Sequence, residues 1–532
     1  MEKLSKQDLI QLQQIGISEI DLQKQMQDFE KGFPYASLAD SAQRGKGVFS
    51  FLESDQERYS TIYENFSFPK GREPMKFVPA SGAATRMFKS LFAFYENPNT
   101  PATATPNLEV ERFFSHLPKF AFYQALSECL AKEGYSIEKC LEKKDYLPIL
   151  DSLLEHGLQY GNLPKALLLF HSYGSYFRTA LEEHLVEAAL YANKNSKCRL
   201  HFTVSPEFLP LFKLLEQKVL PIYEKRFSIK YEITYSTQKS STNTMAVTTD
   251  NQIFREEGKR IVFRPGGHGA LIENLNEIEA DLIFIKNIDN VSTETHCKKG
   301  LIYKRMLAGF LLEVRQQSFL FLEALQKEKL TPELITTIAK FAKEKLCMVL
   351  PLDLGMPIPS NAISIEEQGQ ILFELLNRPI RVCGMVKNEG EPGGGPFWVW
   401  NKAKAKEDSQ GRKSSQLSLQ IVESAQIDMA DPLQKEIFSK STYFNPVDLV
   451  CSVYNYQGEK FDLKQYIDPS TAFISQKSVK GREIKAMELP GLWNGAMANW
   501  TTLFVEVPKT VFTPVKSVND LLRKEHNNTR DL

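Results

Sequence analysis

Three stretches of the chain concentrate residues suited to phosphate and metal chemistry. The first, Ala80-Ser81-Gly82-Ala83-Ala84-Thr85-Arg86, follows the apolar run Lys76-Phe77-Val78-Pro79 and precedes Phe88, Leu91 and Phe92, which take up helical spacing. A small-residue turn between strand and helix lets backbone N–H groups approach an anion, and Thr85 and Arg86 add side-chain donors. The same composition also makes an ordinary tight turn with Arg86 in solvent, and for this segment alone both readings stay open. It is neither a Walker loop nor a Gly-x-Gly-x-x-Gly fingerprint.

The second stretch is Phe263-Arg264-Pro265-Gly266-Gly267-His268-Gly269-Ala270-Leu271, whose glycines let the backbone lie close to a planar base or ribose. The third, Asp281 to Val291, runs through an apolar strand into Asn287-Ile288-Asp289-Asn290. An aspartate at the carboxyl end of a buried strand sits where α/β sheets bind ligands, so Asp289 is a natural Mg²⁺ ligand. The competing reading is that Asn287 and Asn290 are turn formers and Asp289 starts a helix.

The elements that must position these groups read as an α/β protein. Residues 1–70 are expected to form polar helices acting as a cap, with a Gly-Phe-Pro break at 32–34. Residues 97–106 form a loop, and 108–160 carry helical patterns such as Phe113, Leu117 and Phe120. A helical insertion at about 100–160 follows, whose removal leaves the strand after Arg86 and the strand near Leu167 as neighbours. From Arg199 strand and helix alternate through Leu200–Val204, Leu209 and Leu214, Ile229–Tyr235 and Leu282–Ile288, as in a parallel sheet. Residues 301–346 look helical, Arg381–Val386 a strand, and 402–415 a polar linker. Beyond it lie strands at Leu417–Val422, Leu449–Tyr456 and Thr502–Val507.

Composition bounds the class. The 532 residues are 42% hydrophobic and 24% charged, enough for two or three folding units. Lysine plus arginine and aspartate plus glutamate each number 65, so no net charge draws the chain to nucleic acid or an anionic membrane. The seven cysteines show no C-x-x-C pair, no apolar run reaches the roughly 20 residues of a membrane span, and Met1 to Asp8 lacks a secretory apolar stretch. A cytoplasmic protein is expected, and the sequence sets no oligomeric state.

In order as well as kind, these segments resemble the sugar-nucleotide pyrophosphorylases, the UDP-sugar pyrophosphorylase branch most of all. That family's Ala-Gly-Gly-x-Gly-Thr-Arg-Met/Leu loop is matched by Ala80, Gly82, Thr85, Arg86 and Met87, with Ser81 and Ala84 standing where it has glycines. Pro164-Lys165 resembles its phosphate-contacting Pro-Lys pair, and Gln238-Lys239 its nucleobase-contact region. Pro265 to Gly269 is similar to its uridine-binding turn, and Asn-Ile-Asp-Asn at 287–290 to its metal-binding Val-Asp-Asn. Ile421-Val422-Glu423 resembles a sugar-contact strand, Phe444-Asn445 with Asp448-Leu449 an Asn-x-Asn-Asn-Leu segment, and Phe512 to Lys516 with Asp520-Leu521-Leu522 the Phe-x-Pro-Val-Lys…Asp-Leu-Leu signature. The Gly-Gly-His-Gly and Asn-Ile-Asp-Asn pattern also resembles an uncharacterised bacterial family from which no substrate carries over.

The resemblance implies a nucleotidyltransferase-type (GT-A-like) fold: a mostly parallel sheet in an α/β domain at 71–400, the helical cap at 1–70, and a mixed C-terminal lobe at 401–532 completing the site. It implies transfer from a nucleoside triphosphate, UTP on the uridine turn, to a sugar 1-phosphate with release of pyrophosphate. Arg86, Lys165 and Lys516 would neutralise phosphates. Ala80, Ser81, Gly82, Ala83, Thr85, Gln238, Gly266, Gly267 and His268 would hold the nucleotide; Asn290, Glu423 and Asn445 the sugar; Asp289 and Asp448 the Mg²⁺. Asp289 is expected in one pocket with Gly82, Arg86 and Gly267. The alternatives are a glycosyltransferase consuming a nucleotide sugar and a non-catalytic nucleotide-sugar sensor, the latter favoured by Ser81 and Ala84. Three groups keep two readings: Lys387 to Trp398 as a closing acceptor-site segment or an exposed turn, Trp493 and Trp500 as sugar platforms or packing, and His171 as a site or structural residue.

Overall fold

The computed structural model describes residues 4–96, 108–256, 259–350, 364–390, 393–407, 413–479 and 481–527. The chain forms two compact units, each drawn from separated segments: Met1–Arg72, Gln238–Ile283 and Arg305–Val507 in the first, and Glu73–Thr237, Phe284–Lys304 and Pro508–Leu532 in the second. Both mix helices and strands, and the protein is mixed α/β.

In the second unit, Met75–Pro79 runs parallel to Lys197–Thr203, which runs parallel to Lys230–Ser236. Ile283–Lys286 lies on the other side of Met75–Pro79. Phe77, Val78, Leu200 and Phe202 have essentially no exposed surface, as expected where a parallel sheet is covered on both faces. Ala180–Tyr191 supports this sheet, opened by a capping box between Thr179 and Glu182. Register places Pro79 opposite Thr203, and Thr203 opposite Ser236, so three carboxyl ends are level. Ligands of open α/β sheets bind at such an edge.

Four α-helices, Leu108–Ser115, Tyr123–Lys132, Ile137–Lys143 and Leu147–Leu154, occupy the region read as a helical insertion, and its described residues contain no strand. The expected neighbouring strands differ. No strand follows Arg86 among the described residues until Leu169–Ser172, which pairs antiparallel with Phe177–Thr179 in a separate hairpin. The loop read at 97–106 lies outside the described residues.

In the first unit, helices Lys6–Ile15 and Glu19–Lys31 each begin with a capping box, Ser5 with Asp8 and Ser18 with Asp21. Leu12, Leu22, Met26 and Phe29 pack on Met245, Val247 and Met487, each buried side chain contributing about 1.5–3 kcal/mol. These last three belong to a four-stranded antiparallel sheet of Phe263–Arg264, Thr244–Val247, Arg482–Glu488 and Phe473–Val479. The stretch read as an all-helical cap is only partly helical: Leu38–Ser41, Gln43–Arg44 and Gly47–Phe49 are strands. Leu38–Ser41 pairs with Gly395–Glu407, where Leu38 packs with Phe397 and Val422.

A further correction concerns 402–415. Gly395–Glu407 and Lys413–Val422 are antiparallel strands that run through the ends of this expected linker, and residues 408–412 lie outside the described residues. Thr501–Glu506 runs parallel to Ile380–Lys387, which is antiparallel to Asp448–Ser452. The glycine-rich stretch from Lys387 thus connects two strands, with Glu391 and Pro392 outside the described residues.

Candidate active site

In the second unit the loop after Met75–Pro79 is strapped at several points. The Ala80 N–H donates to the Thr203 carbonyl at 2.9 Å, Ala84 N–H to Leu163 at 3.0 Å, and Lys165 N–H to Gly82 at 3.3 Å. Ala80 and Ala84 are fully buried, whereas Ser81, Gly82, Ala83, Thr85 and Arg86 are exposed. A Cβ at Gly82 would meet nothing within 4 Å. The Thr85 hydroxyl donates to the Gly161 carbonyl at 3.2 Å. Arg86 sits in the short 3₁₀ turn Ala84–Phe88.

The strap brings Lys165 to the carboxyl edge of the sheet, where three segments converge. Lys165 Nζ donates to Asp289 Oδ2 at 2.8 Å and to the Val515 carbonyl at 2.7 Å. Lys516 Nζ donates to the same Asp289 Oδ2 at 3.0 Å. Asp289 is placed by Ile283–Lys286, whose continuation donates the Ile288 N–H to Pro79 at 3.4 Å. Lys516 is placed by Val515 N–H donating to the Asp289 carbonyl at 2.9 Å and Thr513 N–H to Asn290 Oδ1 at 2.9 Å. Asn290 therefore acts here as a backbone clamp. Lys516 belongs to the same unit as Asp289.

The electrostatics are asymmetric. Side-chain exposure is 11% for Lys165, 10% for Asp289 and 62% for Lys516. Burial opposes ionisation of Asp289, but the two ammoniums overcome it and hold its carboxyl below the ordinary carboxylate range. Asp289 is thus an anion at neutral pH. Its Oδ1 is buried and accepts no hydrogen bond. Among the described residues no group of three or more His, Cys, Asp and Glu converges as a ready metal cage. One carboxylate with a spare oxygen still fits Mg²⁺, which commonly takes one or two carboxylates and completes its shell with phosphates and water.

Supporting residues were named in the sequence reading without a role or escaped it. Asp520 accepts the Lys516 and Ser517 N–H groups at 2.8 and 2.7 Å, and the Ser-x-x-Asp capping pattern is the signal for it. Beneath the edge, fully buried Lys76 and nearly buried Lys286 each meet Glu187 at 2.7 Å. Burial drives the Lys76 ammonium down to about 8. Charged residues inside apolar strands demand such partners, which is the signal for these. His171 is structural: fully buried, it meets Glu183 at 3.0 Å and His526 at 2.9 Å.

The remaining candidates lie in the first unit. Gly267 adopts φ +80°, a Cβ on Gly266 would approach the Thr242 carbonyl to 2.6 Å, and one on Gly269 the Pro490 carbonyl to 2.0 Å. These glycines serve close backbone packing within the turn. The His268 ring stacks on Trp493 with centroids 4.2 Å apart, and its Nδ1 accepts from the Leu492 N–H at 3.0 Å. Burial pushes His268 down to about 4 and raises Glu423, whose Oε1 lies 3.8 Å from His268 Nε2, so this contact is not a strong ion pair. Trp493 and Trp500 are packed, the latter 4% exposed. Gln238 donates to Thr242 Oγ1 at 3.3 Å. Asn445 Oδ1 accepts the Val447 N–H at 3.1 Å, an Asx turn, and Asp448 is buried at the start of Asp448–Ser452.

A family model described as a domain of unknown function (DUF4301) matches residues 5–527. The chain belongs to that family. No curated protein matches it. Among solved structures, a variant of UDP-glucose pyrophosphorylase from Leishmania major in complex with UDP-glucose is similar at 12% identity and a TM-score of 0.46, covering 98% of this chain and 79% of that one. The UDP-glucose phosphorylase of Trypanosoma brucei is similar at 12% identity and a TM-score of 0.41, covering 98% of this chain and 80% of that one. At such values the likeness carries no argument for activity or substrate. Among the described residues no helix is long and apolar enough to cross a membrane.

Proposed function

We propose that this DUF4301 chain is a nucleotidyltransferase that joins a nucleoside triphosphate to a sugar 1-phosphate and releases pyrophosphate. The observation that carries the reading is the convergence of Lys165, Asp289 and Lys516, with Asp289 lying 124 residues from the first lysine and 227 from the second. These are the three positions at which the chain resembles the Pro-Lys, Val-Asp-Asn and Pro-Val-Lys motifs of sugar-nucleotide pyrophosphorylases. Two cations and one carboxylate at the carboxyl edge of a parallel sheet suit a polyphosphate.

In this reading an oxygen of the sugar phosphate bonds to the α-phosphorus as the bond to the bridging oxygen beyond it breaks, and the electron pair leaves on pyrophosphate. No covalent enzyme intermediate is needed, and catalysis is positioning and charge neutralisation. Lys165 keeps one N–H donor beyond those on Asp289 and Val515, Lys516 keeps two beyond the one on Asp289, and these meet the phosphates as charge moves between them. Arg86, exposed beside the loop, meets the departing pyrophosphate. Asp289 would hold Mg²⁺ through its spare Oδ1, and the ion when bound would supply charge neutralisation to the phosphates.

A second reading, a nucleotide-sugar binder without turnover, is favoured by Ala84, buried where the family carries a glycine, and by Thr85, whose hydroxyl is spent on Gly161. Screening nucleoside triphosphates against sugar 1-phosphates for pyrophosphate release tests both. Release that requires both substrates is the expected result. Saturable nucleotide binding with no release for any pair would establish the second reading instead.

A further inference from the structure

The first unit holds a cavity of about 430 Å³, within the range of small-molecule sites, built from its own segments alone. Its walls come from the Gly32–Ser37 turn, the paired strands around Trp400 and Gln420, and the Asp468–Ser475 and Asn494–Ala498 segments. Among the described residues no lysine, arginine or histidine lines it. A phosphate or nucleotide would leave its charge uncompensated there, whereas an uncharged ligand would not.

The lining has two chemistries. Phe33, Tyr35, Trp400 and Phe473 offer aromatic surface, with Tyr35 57% and Trp400 39% exposed. Neutral amides and hydroxyls supply the rest, several already fixed in place. Gln420 is 9% exposed, and its Nε2 donates to Ser418 Oγ at 3.0 Å and the Ala498 carbonyl at 2.8 Å. That pins the amide and leaves Gln420 Oε1 as an unused acceptor. Gln426 is held by the Thr471 carbonyl at 3.1 Å and by Asn494 Nδ2 at 3.1 Å. Asp468 Oδ1 accepts the Ser470 N–H and hydroxyl at 3.0 and 2.6 Å, which leaves Oδ2. Hydroxyls of Ser37 and Ser418 complete a set able both to donate and to accept.

We infer that this cavity binds an uncharged saccharide, a mono- or short oligosaccharide without phosphate. Pyranose rings present apolar C–H faces to aromatic rings and hydroxyls at their edges. Each hydroxyl needs both a donor and an acceptor, which pinned amides, serines and one carboxylate provide. The absence of cations among the described lining residues separates this ligand from the sugar phosphate of the proposed reaction, and the inference does not depend on Lys165, Asp289 or Lys516.

The test is ligand-observed NMR and calorimetry on the full chain with neutral mono-, di- and trisaccharides, their 1-phosphates in parallel. At least one neutral saccharide is expected to bind. Trp400→Ala should weaken it about tenfold, as loss of a stacking platform implies, with the melting temperature unchanged. Gln420→Leu should weaken it as well, which separates hydrogen bonding from stacking. Three results would each overturn the inference: no neutral saccharide binding at the highest soluble concentrations, binding confined to phosphorylated sugars, or affinity unmoved in both variants.

Discussion

Replacing Lys165 with methionine preserves its length and removes one charge from the Lys165–Asp289–Lys516 cluster. Asp289, 10% exposed, would then rely on Lys516 alone, and the Val515 carbonyl would lose its donor. Breaking a buried pair from one side typically costs about 3–5 kcal/mol. The surviving Lys516 contact brings the expectation to about 3 kcal/mol. Lys516 is 62% exposed, so Lys516→Met should cost no more than about 1 kcal/mol. In a unit of this size about 2–4 °C accompanies each kcal/mol, so scanning calorimetry should show a loss of roughly 6–12 °C for Lys165→Met. For Lys516→Met the loss should be no more than about 4 °C. Adding Asp289→Asn to Lys165→Met should recover part of the loss, because neither charge is then stranded. Equal losses for the two lysine variants, or strict additivity in the double variant, would refute this electrostatic account.

The lowered pKa of Asp289 makes its contribution to stability full above its ordinary value of 3.8 and lost as pH falls through the lower folded value. The melting advantage of wild type over Asp289→Asn should therefore hold at neutral pH and shrink below about pH 4, and an advantage that grows with acid would contradict it. His268, pushed down from 6.5 to about 4, should titrate near that lower value by NMR, and its linked stability should decline as pH falls from 6.5 towards 4; a midpoint near 6.5 would contradict this. Gly82→Ala should leave the melting temperature unchanged, since a Cβ meets nothing within 4 Å, whereas Gly269→Ala, with the Pro490 carbonyl 2.0 Å from its Cβ, should destabilise by more than about 1 kcal/mol. Equal effects would contradict the loop geometry.

Where burial was two-sided or a local pattern was strong, the sequence was readable. Leu200–Val204 and Leu282–Ile288 lie within a few residues of the strands Lys197–Thr203 and Ile283–Lys286, because continuous apolar runs have few alternatives. Phe473–Val479 and Arg482–Glu488 escaped because Gln476, Ser478 and Glu483 face solvent and dilute the alternation. The ends of the 402–415 stretch are strands whose sequence, 402–407 and 413–415, holds no apolar residue larger than alanine. Leu38–Ser41 is only four residues long and draws its register from Gly395–Glu407, more than 350 positions away. The Lys165–Asp289–Lys516 cluster could be read only through motif resemblance, since nothing local in three distant segments says that they meet. The stacking of His268 on Trp493 had no local signal at all.

Isotopic exchange of labelled pyrophosphate into nucleoside triphosphate, in the presence of Mg²⁺ and the matching nucleotide sugar, tests nucleotidyl transfer most directly. Wild type should catalyse exchange, Lys516→Ala should slow it about 10²-fold to 10³-fold with its fold intact, and Asp289→Asn should do the same or worse. No exchange by wild type with any nucleotide sugar, or full exchange by Lys516→Ala, would contradict the account.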